Sequence, residues 1–147
     1  MQNNRLIALF IPLLFLLSCS RPSVSQSFVT ASQRDSLGRY AFTLPMDDSA
    51  AFYNISFYTR LDLNEDSFSN LTDIEISVLM QGPDSTLYSE TVYMPKQKFS
   101  RKTAFTIDYD LPYRIASQPV ACGQWQLLLT TPDIQGLRGM GVRLEKM

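Results

Sequence analysis

Histidine is absent from all 147 residues. The chain therefore lacks the side chain that most readily moves protons near neutral pH. The Ser-His-Asp triad, the Cys-His dyad and the common histidine-containing zinc sites are excluded with it. No serine lies in a Gly-x-Ser-x-Gly context, the strained turn that exposes a hydrolase nucleophile. No glycine-rich loop is present to cradle a phosphate. A Ser-Lys dyad or a carboxylate pair stays formally open, but the expectation is a protein that is not an enzyme and uses no cofactor.

Cysteine and positive charge are scarce too. The two cysteines are Cys19 and Cys122, and 13 basic residues face 14 acidic ones at a pI near 5.3. No basic block stands out, so the electrostatic footprint of nucleic-acid binding is missing and no nucleic-acid partner is expected. Attraction to anionic lipid headgroups is disfavoured on the same grounds. No window of a dozen residues carries a convincing helical stripe.

The N-terminal segment does carry a signal. Arg5 precedes an apolar stretch over 6–17, too short for the about 20 residues that a bilayer-spanning helix needs. This is the layout of a cleaved signal peptide. Leu16-Leu17-Ser18-Cys19 resembles a bacterial lipobox, which implies cleavage between Ser18 and Cys19 and lipid on the Cys19 sulfur. Several acyl chains then make a stable anchor, since one chain alone binds membranes marginally. Residues 1–18 are read as the signal peptide, 19–27 as the lipidated cysteine with a Ser-rich tether, and 28–147 as one domain. With Cys19 acylated, Cys122 has no disulfide partner. Ala121-Cys122-Gly123 offers no neighbouring cation to activate the thiol, so a partly buried, inert residue is expected.

The domain reads as strands, because β-branched and aromatic residues recur in short runs separated by Pro, Gly, Asn and Asp. Runs are expected over 39–44, 51–61, 72–81, 86–94, 103–111, 124–131 and 138–145. Tyr53, Ile55, Phe57 and Thr59 should share one face of the second, and Ile74, Ile76, Val78 and Met80 one face of the third. Phe105, Ile107 and Tyr109, then Trp125, Leu127 and Leu129, then Met140, Val142 and Leu144 repeat the pattern. About seven to eight short strands with turns between them imply an all-β antiparallel sandwich, jelly-roll or immunoglobulin-like.

Two segments invite a site. Asp62, Asn64 and Asp66 place oxygens at the first, third and fifth positions of a possible calcium loop, with Asp73 at its far end. Ser67 stands where the turn glycine belongs, and Asp73 replaces the bidentate glutamate, so a solvated acidic hairpin loop is the preferred reading and no metal is expected. Tyr58 and Tyr88 fall on faces expected to meet solvent, where an amphipathic ring can serve a protein partner or a glycan.

The lipobox, the length, the Tyr53-Asn-Ile-Ser-Phe-Tyr-Thr-Arg60 run leading to Phe68-Ser-Asn-Leu71, and the ending Gly136-Leu-Arg-Gly-Met-Gly141-Val-Arg-Leu-Glu-Lys146 together resemble the gliding-motility lipoprotein GldH family of Bacteroidota. That ending is similar to the family's Leu-x-Gly-Ile-x-x-Val-Gly pattern, shortened and with Met140 in the aliphatic place. The basic 96–102 stretch and the 115–119 stretch depart from the family's glycine-rich segment. The resemblance implies an outer-membrane lipoprotein, an accessory part of an envelope machine for gliding or type IX secretion. Its partners would be other envelope lipoproteins or motility and secretion components. The residues after Cys19 lack the acidic cluster that marks surface display in these bacteria, so the domain is expected to face the periplasm. A glycan-binding lipoprotein is the alternative. Replacing Cys19 with serine should leave the protein unlipidated and move it from the membrane to the soluble fraction, read by intact-mass spectrometry and fractionation.

Overall fold

The computed structural model describes residues 23–147. The expected signal peptide, the expected Ser18–Cys19 cleavage pair and the start of the expected tether lie outside the described residues. Nine strands follow: β1 Val24–Thr30, β2 Tyr40–Met46, β3 Tyr53–Asp62, β4 Ile74–Gln81, β5 Leu87–Met94, β6 Phe99–Lys102, β7 Thr106–Ser117, β8 Gly123–Thr130 and β9 Leu137–Lys146. They build two antiparallel sheets, ordered β1-β9-β3-β7-β6 and β2-β8-β4-β5.

The pairs β1·β9, β2·β8, β3·β7 and β4·β5 nest from the outside of the chain inward. The domain is thus one long antiparallel ribbon rolled up until β9 meets β3 and β8 meets β4. That connectivity is a jelly roll, which closes the choice between the two sandwich types.

Period-two patterning explains why the sheets face each other as they do. Every second residue of β2, β3, β4 and β8 is buried, from Tyr40, Phe42 and Leu44 to Trp125, Leu127 and Leu129. Alternating apolar residues on two facing sheets make one core between them. Thr59 is the polar exception on the β3 core face, and its Oγ1 donates to the Gly139 carbonyl at 2.5 Å. The buried hydroxyl is therefore satisfied.

Four expectations need correction. β1 begins at Val24 and pairs with β9 through Thr30, so residues 24–27 belong to the sheet and not to a tether. The basic connection contains β6, which pairs with β7. The expected acidic hairpin loop is a short helix, α1, over Glu65–Asn70, entered through Asn64, whose Oδ1 accepts from the Ser67 N–H at 2.8 Å. Phe105 lies outside β7 and is exposed, because Thr103 and Thr106 close a turn around it. Among the described residues, no helix is long and apolar enough to cross a membrane.

Along β7 the register slips by one residue: Ser56 faces Pro112, whereas Ile55 faces Arg114. The extra residue is Tyr113, a bulge that turns its ring inward to stack on Phe57 at 4.5 Å between centroids. β6 covers β7 only through Tyr109, so on that side Pro112 meets no neighbouring strand. Tyr113 Oη donates to Glu90 Oε1 at 2.6 Å, and Arg114 binds the same oxygen. Burial, reinforced by the Glu90 carboxylate, pushes the Tyr113 hydroxyl up to about 12 from 10.0. A raised folded-state value means that this contribution is complete below pH 10 and lost as pH climbs towards 12. Thermal melts should fall across that window, and Tyr113→Phe should fall less steeply. An unchanged alkaline slope in the variant would refute this.

Candidate functional site

The outer face of the five-stranded sheet is built around a gap in β9. Met140, Val142 and Leu144 point to the core, so Gly139, Gly141 and Arg143 line the outside. Phe28 on β1 and Tyr58 on β3 both stand directly opposite Gly141. With no side chain between them the two rings meet across the glycine, 6.0 Å apart and 27° from parallel. A Cβ on Gly141 would overlap the Tyr58 ring, and one on Gly139 would strike the Val29 carbonyl and the Phe28 ring. Tyr58 Oη donates to the Ser27 carbonyl at 3.1 Å, which ties the ring down over β9 and β1. Its hydroxyl is pushed above the ordinary tyrosine value chiefly by burial.

Charged residues frame these rings. Arg143 lies over Tyr58, 5.7 Å from the ring centroid, and reaches Asp110 Oδ2 at 2.8 Å. Arg60 holds Asp108 with two hydrogen bonds of 2.6 and 2.9 Å. That guanidinium keeps the Asp108 carboxyl below the usual carboxylate range. Arg138 pairs with Asp62 at the same face. The result is a hollow of about 470 Å³ lined by Phe28, Tyr58, Arg60, Asp108, Arg138 and Arg143 among others. Chemically it offers flat apolar surface at the centre and planar donors beside acceptors at the rim. Such a surface suits a polypeptide with its own charges or a polar ring.

Of the residues singled out from sequence, Tyr58 lies in this hollow on the expected face. Tyr88 does not. It is exposed, as expected, but it pairs with core-facing Met80 and stacks on Trp125 at 6.0 Å, so it meets solvent at the open end between the sheets and not on the outer face. It lines a separate hollow of about 240 Å³ with Arg114 and Val120. Cys122 is exposed, contrary to the partly buried position expected of it.

The four candidate calcium ligands do not converge. Asp62 pairs with Arg138, Asn64 caps α1, Asp66 is exposed on the helix, and Asp73 Oδ1 accepts the Lys96 N–H at 2.9 Å. Among the described residues no group of three metal-binding side chains is assembled. Asp66 and Asp73 instead line a wider hollow of about 820 Å³ with Glu75, Tyr93 and Asp133, away from the paired rings. Phe28, Arg143 and Asp110 went unrecognised in the sequence. Phe28 falls in a strand without clear alternation, and Arg143 acquires meaning only when β9 lies next to β3.

No protein-family model and no curated protein sequence matches the chain. Among solved structures it is similar to the Yersinia pseudotuberculosis-derived mitogen, with TM-score 0.38 and 8% identity over 86% of each chain. It is also similar to the arabinose-bound α-L-arabinofuranosidase MgGH51, with TM-score 0.36 and 10% identity over 86% of this chain and 23% of that one. A 4-O-methyl-α-glucuronidase, BtGH115A, gives TM-score 0.35 and 8% identity over 87% of this chain and 16% of the other. These similarities are too distant to carry a functional argument.

The ring seat makes Gly141 the sensitive position. Gly141→Ala should lower stability by about 1–3 kcal/mol, the usual range for overpacking. The check is the midpoint of urea unfolding, and a midpoint equal to that of the unsubstituted protein would refute the close seating of Tyr58.

Proposed function

We propose that this chain is a non-enzymatic lipoprotein, held to the outer membrane by lipid on Cys19 and facing the periplasm. On this reading it serves as an accessory part of a cell-envelope machine, linked to gliding motility or type IX secretion, and works through protein–protein contacts. The observation that supports contact as its mode of action is the face of the five-stranded sheet. Aromatic residues and arginine are the side chains that concentrate at interface centres and carry most of their energy. Phe28, Tyr58, Arg60 and Arg143 come together there in one shallow hollow. The lack of histidine argues in the same direction, by removing the commonest acid–base chemistry.

Affinity purification of the lipidated protein in mild detergent should recover other envelope proteins in stoichiometric amounts. The recovery should be lost with Tyr58→Ala or Arg143→Glu while each variant still folds, read by its cooperative thermal transition. Recovery of the protein alone would overturn the reading. A second reading, glycan binding, is favoured by one observation, the two rings set side by side next to carboxylates and guanidinium groups. Retention on a glycan array, abolished by Tyr58→Ala, would support it in place of the first.

A further inference from the structure

We propose that the end of the sandwich where β1 begins rests on the lipid bilayer and presses an apolar tip into the membrane interface. The inference rests on the reading of Cys19 as lipidated.

Strand registers define that end. Val24 pairs with Glu145, Tyr53 with Lys146 and with Ser117, Met46 with Gly123, and Gln81 with Leu87. The connections 47–52, 82–86 and 118–122 and the chain's last residue therefore share one end with the start of β1. Lys146 donates its N–H to the Ser23 carbonyl at 3.0 Å, and Met147 donates to the Phe52 carbonyl at 2.8 Å, which closes the cluster.

Exposed apolar side chains concentrate here. Ile115 is 73% exposed, Val120 72%, Leu87 61% and Met147 58%, and Val24, Phe52 and Tyr88 join them. Seven of the twelve large apolar side chains left exposed in the described residues thus lie at one end. Single exposed apolar residues are ordinary, whereas this many gathered at one end of a domain point to a surface that meets something other than water.

The length of chain outside the structure selects the occupant. Cys19 stands four residues before Ser23, a reach of at most about 14 Å at about 3.5 Å per residue. Headgroups occupy roughly 5–8 Å of each leaflet, from the difference between total and hydrocarbon thickness. A domain leashed this closely meets the bilayer with the end that carries its leash. The charges at this end are Asp47, Asp48, Asp84 and Glu145 against Lys146 and Arg114, so its contact is apolar and not an attraction to anionic lipid. Phe105 and Leu37, also exposed, lie at the opposite end, where no anchor holds them to lipid.

The free thiol Cys122 lies at the proposed tip and is exposed, so it can report on depth directly. The lipidated protein, labelled there with an environment-sensitive fluorophore, is reconstituted into phosphatidylcholine vesicles carrying nitroxide lipids. The expected result is blue-shifted emission and quenching several-fold stronger than for the same label on Ser36→Cys in a Cys122→Ser background, at the far end of β1. Double substitution Ile115→Asp and Val120→Asp should abolish the excess quenching while leaving the melting temperature unchanged, since both side chains are exposed. Added salt should leave the quenching unaltered. Equal, weak quenching at both ends with Cys19 shown by mass spectrometry to be acylated overturns this inference alone. An unacylated Cys19 in membrane-derived protein overturns the anchor and the inference with it. A photocrosslinker at position 120 that captures phospholipid in cells supports lipid as the occupant, and one that captures a single protein overturns it.

Discussion

The domain depends on β9 being able to run between two other strands with nothing on part of its outer face. β9 pairs with β1 on one side and β3 on the other, and so joins the first strand of the ribbon to its interior. Any side chain at Gly141 would compete with the Tyr58 ring for the same space, and any at Gly139 with the backbone of β1. Glycine normally weakens a strand, because it adds backbone freedom and buries nothing. Here the loss is offset by neighbouring strands, whose aromatic rings cover the bare backbone from both sides. Gly136, at φ 78°, lies against the Asp62 backbone, and its carbonyl accepts the Asp62 N–H at 2.8 Å. The spacing of glycines in the C-terminal run is therefore a packing requirement.

Rolling the ribbon lays the two sheets face to face, with β9 and β1 approaching β2 across the core. Core residues of the two sheets then interdigitate, from Phe57, Val142 and Met140 to Leu127, Val78 and Ile76. Most of the contacts in the domain join residues distant in sequence, so the chain must close long loops before it gains the core contacts. Its free edges are dulled by local devices. β7 has a proline, a bulge and the positive φ of Ala116 along its uncovered half, features that discourage edge-to-edge pairing. β1 keeps a straighter free edge, and it is the strand nearest the proposed anchor.

Strands with one face in the core were legible in the sequence, because alternation leaves a mark that does not require knowledge of the partner. Tyr53 to Thr59, Ile74 to Met80, Trp125 to Leu129 and Met140 to Leu144 all project as their spacing implies. β1 was not legible: most of its residues are exposed, so its serines and Gln26 read as a tether. β6 is four polar-rich residues at a sheet edge, with no buried side chain. The oxygen-rich 62–73 segment shows the limit of reading side chains locally. An asparagine followed by acidic residues spells a helix N-cap as readily as a cation loop, and only the tertiary partners Arg138 and Lys96 separate the two. Tyr88 is exposed as expected, but on the core side of β5 at the open end of the sandwich; the alternation there is blurred by Glu90, an inward-pointing carboxylate satisfied by Tyr113 and Arg114 from the other sheet.

The paired charges on the outer face contribute little to holding the fold together. Arg60–Asp108, Arg143–Asp110 and Arg138–Asp62 are all partly open to water, where such pairs contribute about 0–1 kcal/mol each. Their strength depends on the dielectric around them, so a partner that excludes water from this face would strengthen the same pairs without new bonds. The two rings beneath them are already seated, which lowers the entropy lost on contact. If the β1 end stands on the bilayer, the strands rise from it and this face looks sideways along the membrane surface. A protein anchored beside the domain on the same membrane would then meet this face directly, and the shared anchorage would hold both at high local concentration. A shallow face of modest affinity is sufficient in that geometry, because the membrane has already brought the partners together.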